Sequence, residues 1–465
     1  MKVVSLFSGA MGLDLGLEAA GHEVVVAVET DKTAVATIRL NRPDLPVIAR
    51  PIEEVKTTEI LTAAGLKAGD EFIVVGGPCC QAFSTVGKRE SLGDPRGNLF
   101  LEFVRVVRQA RPTFFLMENV RGLLSAAERH RPLKLRGPGH PPLEEDELLG
   151  SAFAKVVTEF RKLGYYTVFD VLNAADYGTP QKRERFIALG SRDGHPVAMP
   201  PRSHNEEGSS GLSRWVTLRQ TLSSTPATEP PQFEKLNAIQ QRFLPMIPAG
   251  GDWRSLPEEL KREAMGKALD SWGGRTGFLR RLAWDRPAPS LVTTPTARAT
   301  LLGHPVENRP LSTFEYARIQ EFPLGWKFVG PVSAIYRQIG NAVPVGLGRA
   351  LGQALERACK SRRRIEERGV FCFNENLLHK LAQRPTTVLN PASHRRLHGA
   401  DDSPHWDGTG PSNRGFALKK INVPIRKRTH IPHALKPAKL SKARSGAKRG
   451  SPKARQTTKA RALLS

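Results

Sequence analysis

Residues 1–29 read MKVVSLFSGAMGLDLGLEAAGHEVVVAVE. The apolar run at 3–7 is short and β-branched, which predicts a buried strand; 8–12 read as a turn, and 13–20 as a helix stopped by Gly21. The next apolar run, 24–28, is a second strand ending in Glu29. Strand, turn, helix and strand in that order open an α/β sheet with parallel strands. Working outward, 72–75 is a third strand and 99–110 has helical periodicity that Arg111-Pro112 breaks. A fourth strand at 113–117 delivers Glu118 and Asn119 at its end. Each distinctive polar cluster follows the C-terminal end of a strand, the edge at which open parallel sheets hold ligands.

The chain has 465 residues, 39% hydrophobic and 25% charged, a globular balance that excludes a fibrous or wholly disordered protein. Domains of ~150 residues would make it two or three domains. The four cysteines are too few and too irregularly placed for a disulfide framework or a zinc site, so no metal is expected. No apolar run has membrane-spanning length and the start lacks a signal-peptide pattern, which predicts a soluble cytoplasmic protein without membrane contact. The net charge is +25, as expected of a protein with a polyanionic partner, nucleic acid first. Residues 361–465 hold 24 Lys/Arg against 6 Asp/Glu and so carry most of that charge. From 439 onward large apolar residues are almost absent, so a flexible basic arm is expected, either simply solvated or binding phosphates non-specifically. Residues 362–397 read as an extra helix pair.

The turn FSGAMG at 7–12, with Glu29 20 residues past Gly9, suits a cofactor whose ribose hydroxyls bond a carboxylate. Its G-x-x-G spacing fits a nucleoside cofactor without a pyrophosphate better than a dinucleotide, and a ligand-free tight turn remains open. Cys80 follows a strand in GGPCCQ, where a thiolate could form; a small buried hydrophobe is the plainer reading. Glu118 alone could be an ion pair or a cap, and QKRER at 181–185 a solvated face. Together, a thiolate, a proton-giving carboxyl and two arginines suit nucleophilic addition to an electron-poor ring, and a pyrimidine meets that description.

The segments FSGAMGLDLG, GGPCCQAFS, DPRGNLF, MENV, QKRERF, RPAPSLVTTP, HPVENRPLSTFEYARIQEFP and RQIGNAVP, in this order over roughly 1–358, closely resemble the C5-cytosine DNA methyltransferase family. The resemblance implies an S-adenosylmethionine-dependent methyltransferase fold, a doubly wound, mostly parallel sheet, with a smaller target-recognition domain and double-stranded DNA between them. It also implies roles. Cys80 would add to C6 of a flipped-out cytosine while Glu118 protonates N3; Arg183 and Arg185 would hold the base and the loop, and Asn119 would brace the catalytic loop. Phe7, Ser8, Gly9, Gly12, Glu29, Ile52 and Asn341 would form the cofactor pocket, with Asn341 closing it. A ring carbon inside a duplex is out of a thiol's reach, so base flipping is expected on physical grounds too.

The implied organisation is a catalytic domain at 1–195, target recognition at 196–330, a return segment at 331–360 and a basic extension at 361–465. Residues 85–98 read as a loop closing over DNA, with Lys88 and Arg89 as phosphate contacts; Arg275, Arg280 and Arg281 are candidate DNA contacts. Three residues depart from the family's usual wording: Cys79 for a proline, Met11 for a glycine and Pro51 for an acid that meets the adenine. Alternatives are a relative that methylates transfer RNA, a non-enzymatic DNA-binding protein with a degenerate pocket, and a dinucleotide oxidoreductase. A monomer is the expected state, and a cognate restriction endonuclease would be a functional rather than physical partner.

Overall fold

The computed structural model describes residues 1–78, 99–129, 131–132, 135, 139–148, 150–223, 230–270, 277–361, 364 and 371–373. Cys79, Cys80, Lys88, Arg89, Arg275, the whole 85–98 loop and the arm beyond 439 lie outside them.

Strands β1 (Lys2–Leu6), β2 (Glu23–Val28), β3 (Val47–Ile48), β4 (Phe72–Gly76), β5 (Phe114–Val120) and β6 (Tyr166–Asn173) contribute to the central sheet. β7 (Gln181–Lys182) precedes β8 (Glu184–Ser191), β9 (His204–Asn205) and β10 (Ser213–Arg214) make a small ribbon, β11 (Ala288–Pro289) pairs with β7, and β12 is Phe371–Phe373. The eight-stranded sheet runs β12-β6-β8-β5-β4-β1-β2-β3 and is parallel except at β8, which opposes both β5 and β6. A short connection between β6 and β8, without a long helical crossover, leaves antiparallel pairing as the available geometry.

The helices are α1 (Gly12–Glu18), α2 (Lys32–Asn41), α3 (Thr57–Ala63), α4 (Leu99–Ala110), α5 (Ser151–Lys162), α6 (Leu218–Leu222), α7 (Ala238–Phe243), α8 (Glu258–Met265), α9 (Thr313–Ile319), α10 (Val332–Asn341) and α11 (Val345–Lys360). Strand side chains alternate between two faces. Ile73, Val75, Phe114 and Leu116 meet Leu13 and Leu17 of α1, Ile339 of α10 and Leu351 of α11. Val74, Phe115 and Met117 meet Ile60 of α3, Phe103 of α4 and Phe160 of α5 on the other face. The expected doubly wound, mostly parallel architecture is therefore present. No helix among the described residues is long and apolar enough to cross a membrane.

α1 and α11 approach backbone to backbone. A Cβ at Gly16 would lie 2.4 Å from the Val345 carbonyl oxygen, and one at Gly348 would lie 2.8 Å from that of Leu13. Only glycine fits there. A third apolar cluster, built from Leu236, Phe243, Leu244, Ile247, Leu256, Ala264, Leu279 and Leu301, is separate from the two sheet faces, whereas Leu282, Leu291, Leu302, Leu311 and Phe322 pack with the first.

Some expectations change. The first strand ends at Leu6, because Phe7 takes a left-handed φ of +56°. The strand expected at 113–117 runs on to Val120, so Glu118 and Asn119 lie inside it. Strand β12 stands at 371–373 where a helix pair was expected; Phe-Cys-Phe favours an extended edge strand, and it pairs with β6. Arg281 is not a free DNA contact. It is buried, and its guanidinium donates to the carbonyls of Leu244, Ile247, His304, Val306 and Glu307 and to Asn308 Oδ1.

Candidate active site

The turn after β1 is built from left-handed residues, with φ of +56° at Phe7, +54° at Gly9 and +66° at Met11. Such a φ costs an L-residue roughly 1–2 kcal/mol, so Met11, wholly buried in the first core face, is held by its packing. The turn is tied down from several sides. Gly9 N donates to Glu29 Oε2 (2.7 Å), Ser8 N to the Val28 carbonyl (3.3 Å) and Ser8 Oγ to Ser5 Oγ (2.8 Å). The other oxygen of Glu29 accepts from the amides of Thr30 and Asp31, both 2.8 Å.

Above Gly9 a Cβ would meet none of the described residues within 4 Å, whereas at Gly12 it would stand 2.4 Å from the Val343 carbonyl and 3.0 Å from Ala342 Cβ. The turn is thus open on one side and sealed on the other. A half-buried carboxylate with acceptor capacity left, at the open side of a Gly turn, fits the ribose hydroxyls of a nucleoside cofactor. Phe7 packs against the core cluster that contains Ile52, which sits on a short helical turn, Ile52–Glu54, whose carbonyl Arg105 holds at 3.0 Å. Asn341 is exposed at the end of α10, next to the Ala342 that abuts Gly12.

Glu118 projects from β5 beside β8. In that register Val120 pairs with Arg185 and Glu118 with Ile187, so Glu118 and Arg185 are diagonal neighbours on one face. Arg185 Nε stands 2.7 Å from Glu118 Oε1, both side chains 11% exposed. Burial raises the Glu118 pKa above the ordinary glutamate range, while Arg185 and then Arg183 pull it partly back. The antiparallel sense of β8 is decisive here: its N-terminal end, not its C-terminal end, reaches the edge where β1 and β4 end.

Asn119, also buried, donates from Nδ2 to the Pro78 carbonyl at 3.2 Å, two residues before Cys80. Arg183 lies beneath, 1% exposed, with Nη1 donating to the Leu291 carbonyl (2.9 Å) and Nη2 to that of Gly340 (2.7 Å). Glu118, Asn119, Arg183 and Arg185 thus gather at one place and Phe7, Ser8, Gly9 and Glu29 at another, with Gly12 and Asn341 on the wall between α1 and α10. Gly77 and Gln181 fell within motifs the sequence pointed to, whereas Gln320 and Glu321, which bond Gln181 and Thr179, were given no role of their own. Their signal was weak: a polar pair after the apolar helix face of α9.

The family model for C-5 cytosine-specific DNA methylases matches residues 1–357. The chain is 38% identical over 362 residues to the type II methyltransferase M.Eco47II of Escherichia coli, covering 76% of this chain and 78% of that protein. It is 36% identical over 366 residues to M.Sau96I of Staphylococcus aureus, covering 76% and 75%. A crystal structure described as a DNA modification methyltransferase encoded within an E. coli prophage superposes with a TM-score of 0.51 at 22% identity, covering 78% of this chain and 100% of that one, a likeness of fold. The chain belongs to the C-5 cytosine-specific DNA methylase family and is a DNA (cytosine-5-)-methyltransferase that uses S-adenosylmethionine to methylate cytosine in specific DNA sequences.

Proposed function

We propose that the chain methylates one cytosine of a double-stranded site after turning it out of the helix, through a transient bond between Cys80 and the ring. The Cys80 thiolate attacks C6; the Glu118 carboxyl gives its proton to N3, so that the negative charge never accumulates on the ring and C5 becomes nucleophilic. Arg185 steers the carboxyl and Arg183 holds the strand beneath it. S-adenosylmethionine, held by Phe7, Ser8, Gly9, Gly12, Glu29, Ile52 and Asn341, supplies the methyl group when bound. Loss of the C5 proton to a base then re-forms the C5–C6 double bond as the C6–S electron pair leaves with Cys80, and the N3 proton returns to Glu118, which restores the neutral ring.

The observation that carries this reading is the buried Glu118, with its raised pKa and its Arg185 partner, at the sheet edge where the open turn over Gly9 also ends. Residues 196–330 are proposed to read the DNA sequence; their separate apolar cluster supports an independently shaped unit. Residues 1–195 with 331–360 would make the catalytic part and 361–465 a basic arm. The relatives' names support a setting beside a cognate restriction endonuclease; a cytoplasmic location, and action as a monomer because one base is turned out per event, belong to the same proposal.

Duplex DNA carrying 5-fluorocytosine tests the chemistry, because the C5 fluorine cannot leave as a proton does. With S-adenosylmethionine present, a denaturation-resistant adduct should form with the intact chain and not with Cys80→Ser; its absence from the intact chain sinks the mechanism.

A further inference from the structure

We propose that Gln320 is a positioning residue that holds the turn over the cofactor pocket in register with the β7–β8 segment that carries Arg183 and Arg185. The proposal rests on the reading of those two sites given above. Gln320 caps the C-terminal end of α9 and is fully buried. Its Oε1 accepts from Gln181 Nε2 (2.9 Å), and its Nε2 donates to the carbonyls of Ile339 (2.7 Å) and Ala342 (3.0 Å). Both amide protons and the amide oxygen are thus used, so the group fits only one arrangement of three chain segments. Gln181 Oε1 in turn accepts from Leu291 N at 2.9 Å.

The carbonyls of residues 339, 340 and 342 are therefore each fixed by a buried side chain, 339 and 342 by Gln320 and 340 by Arg183. Asn341, exposed toward the cofactor side, is enclosed by them. There is no slack beyond it, since the Val343 carbonyl would stand 2.4 Å from any Cβ at Gly12. Glu321 makes a second strap in parallel. Its Oε2 accepts from Thr179 Oγ1 (2.6 Å) and Gly346 N (2.9 Å), and its own φ is +65°, a strain that packing must hold. Two adjacent residues thus tie Thr179 and Gln181, just before and in β7, to the end of α10, the turn after it and the start of α11. Without the Gln320 donors, the Ala342 carbonyl would lose its side-chain partner and that of Ile339 would be left with the Ala342 amide, and the turn would move to recover partners, carrying Asn341 and residues 342–343 away from Gly12. The Gln181 side keeps its β7–β11 pairing, so the displacement falls on the cofactor side.

The test is steady-state methylation of unmethylated bacterial genomic DNA by the full chain, with calorimetric binding of S-adenosylhomocysteine in the absence of DNA. Gln320→Leu is expected to raise the KM for S-adenosylmethionine and the Kd for S-adenosylhomocysteine roughly tenfold, with the KM for DNA unchanged. Tyr165→Phe removes a buried hydrogen bond to the Pro112 carbonyl far from the site and serves as a stability control; it should lower Tm without moving either KM. Gln320→Glu keeps the acceptor for Gln181, loses both donors and is scored in the same way. Equal rises in both KM values, or an unchanged S-adenosylmethionine KM despite a lower Tm, overturn the proposal, as does failure of both variants to fold, which makes the residue structural. An unaltered chain that binds no S-adenosylhomocysteine, or forms no 5-fluorocytosine adduct, overturns the site reading instead.

Discussion

Gly77 and Glu118 meet with no room for a methyl group between them: a Cβ at position 77 would stand 2.8 Å from Glu118 Oε2. The carboxyl is pinned from the other side by Arg185, so it cannot swing away without breaking that pair. The loop leading to Cys80 and the acid thus share one contact. Gly77→Ala should push the carboxyl off its position and lower kcat by roughly ten- to hundredfold, because small misplacements of a proton donor are costly. Tm should fall by only a few degrees. Steady-state kinetics beside a thermal melt would check this, and an unchanged kcat would refute it.

Glu118 has a direction of pH dependence that can be tested. Its folded pKa is raised, so the folded chain holds its proton to higher pH than the unfolded chain does. The stability linked to that proton is fully present below the unfolded pKa and is lost as pH rises through the folded value. Catalysis should follow the same sense, with the Glu118 acid form, and with it kcat, declining on the alkaline side. Glu118→Gln should remove that limb and cost ~10²–10⁴ in rate. A pH–rate profile with the same alkaline limb in the variant would reject the assignment.

Asp14 offers a second titration, away from the chemistry. It is 1% exposed in the first turn of α1, its Oδ1 has no hydrogen-bond partner among the described residues, and burial lifts its pKa to about 7. The unfolded chain ionises first, so Asp14 disfavours folding increasingly from about pH 4 to about pH 7. Asp14→Asn should leave stability nearly unchanged at pH 4 and raise it by roughly 2–4 kcal/mol at pH 8. Urea midpoints at the two pH values would decide; an equal change at both would contradict the linkage.

Arg281 should be needed for folding rather than for DNA contact. Its removal would leave the carbonyls of Leu244, Ile247, His304, Val306 and Glu307 short of a charged donor, the first three of them in buried residues. Arg281→Ala is expected to cost ~3–5 kcal/mol, and Arg281→Lys, lacking the fork, most of that. Denaturant unfolding measures it. A variant that keeps its stability but loses DNA affinity would reverse the assignment.

These cases also mark what the amino-acid order discloses. The strand and helix at residues 1–29 were legible because β-branched runs, a Gly turn and a Gly stop leave few alternatives, and α4 was read at its observed bounds. The reverse sense of β8 was not, since side-chain alternation has the same period in either direction. Arg280-Arg281 resembled a DNA-binding pair because residue type does not encode burial; Arg281 turns inward to satisfy a ring of carbonyls. Glu118 was found from its neighbours in MENV, but its pairing with Arg185 depends on a register that joins strands far apart in sequence. Gln320 gave no signal of its own, because a glutamine that ends a helix is ordinarily solvated.

The glycine contact between α1 and α11 makes the first helix of the chain and one of its last described helices each other's wall. On a ribosome, the turn proposed to hold the cofactor is translated several hundred residues before its cover. A nascent methylase is therefore expected to stay incompetent until α11 has cleared the exit tunnel.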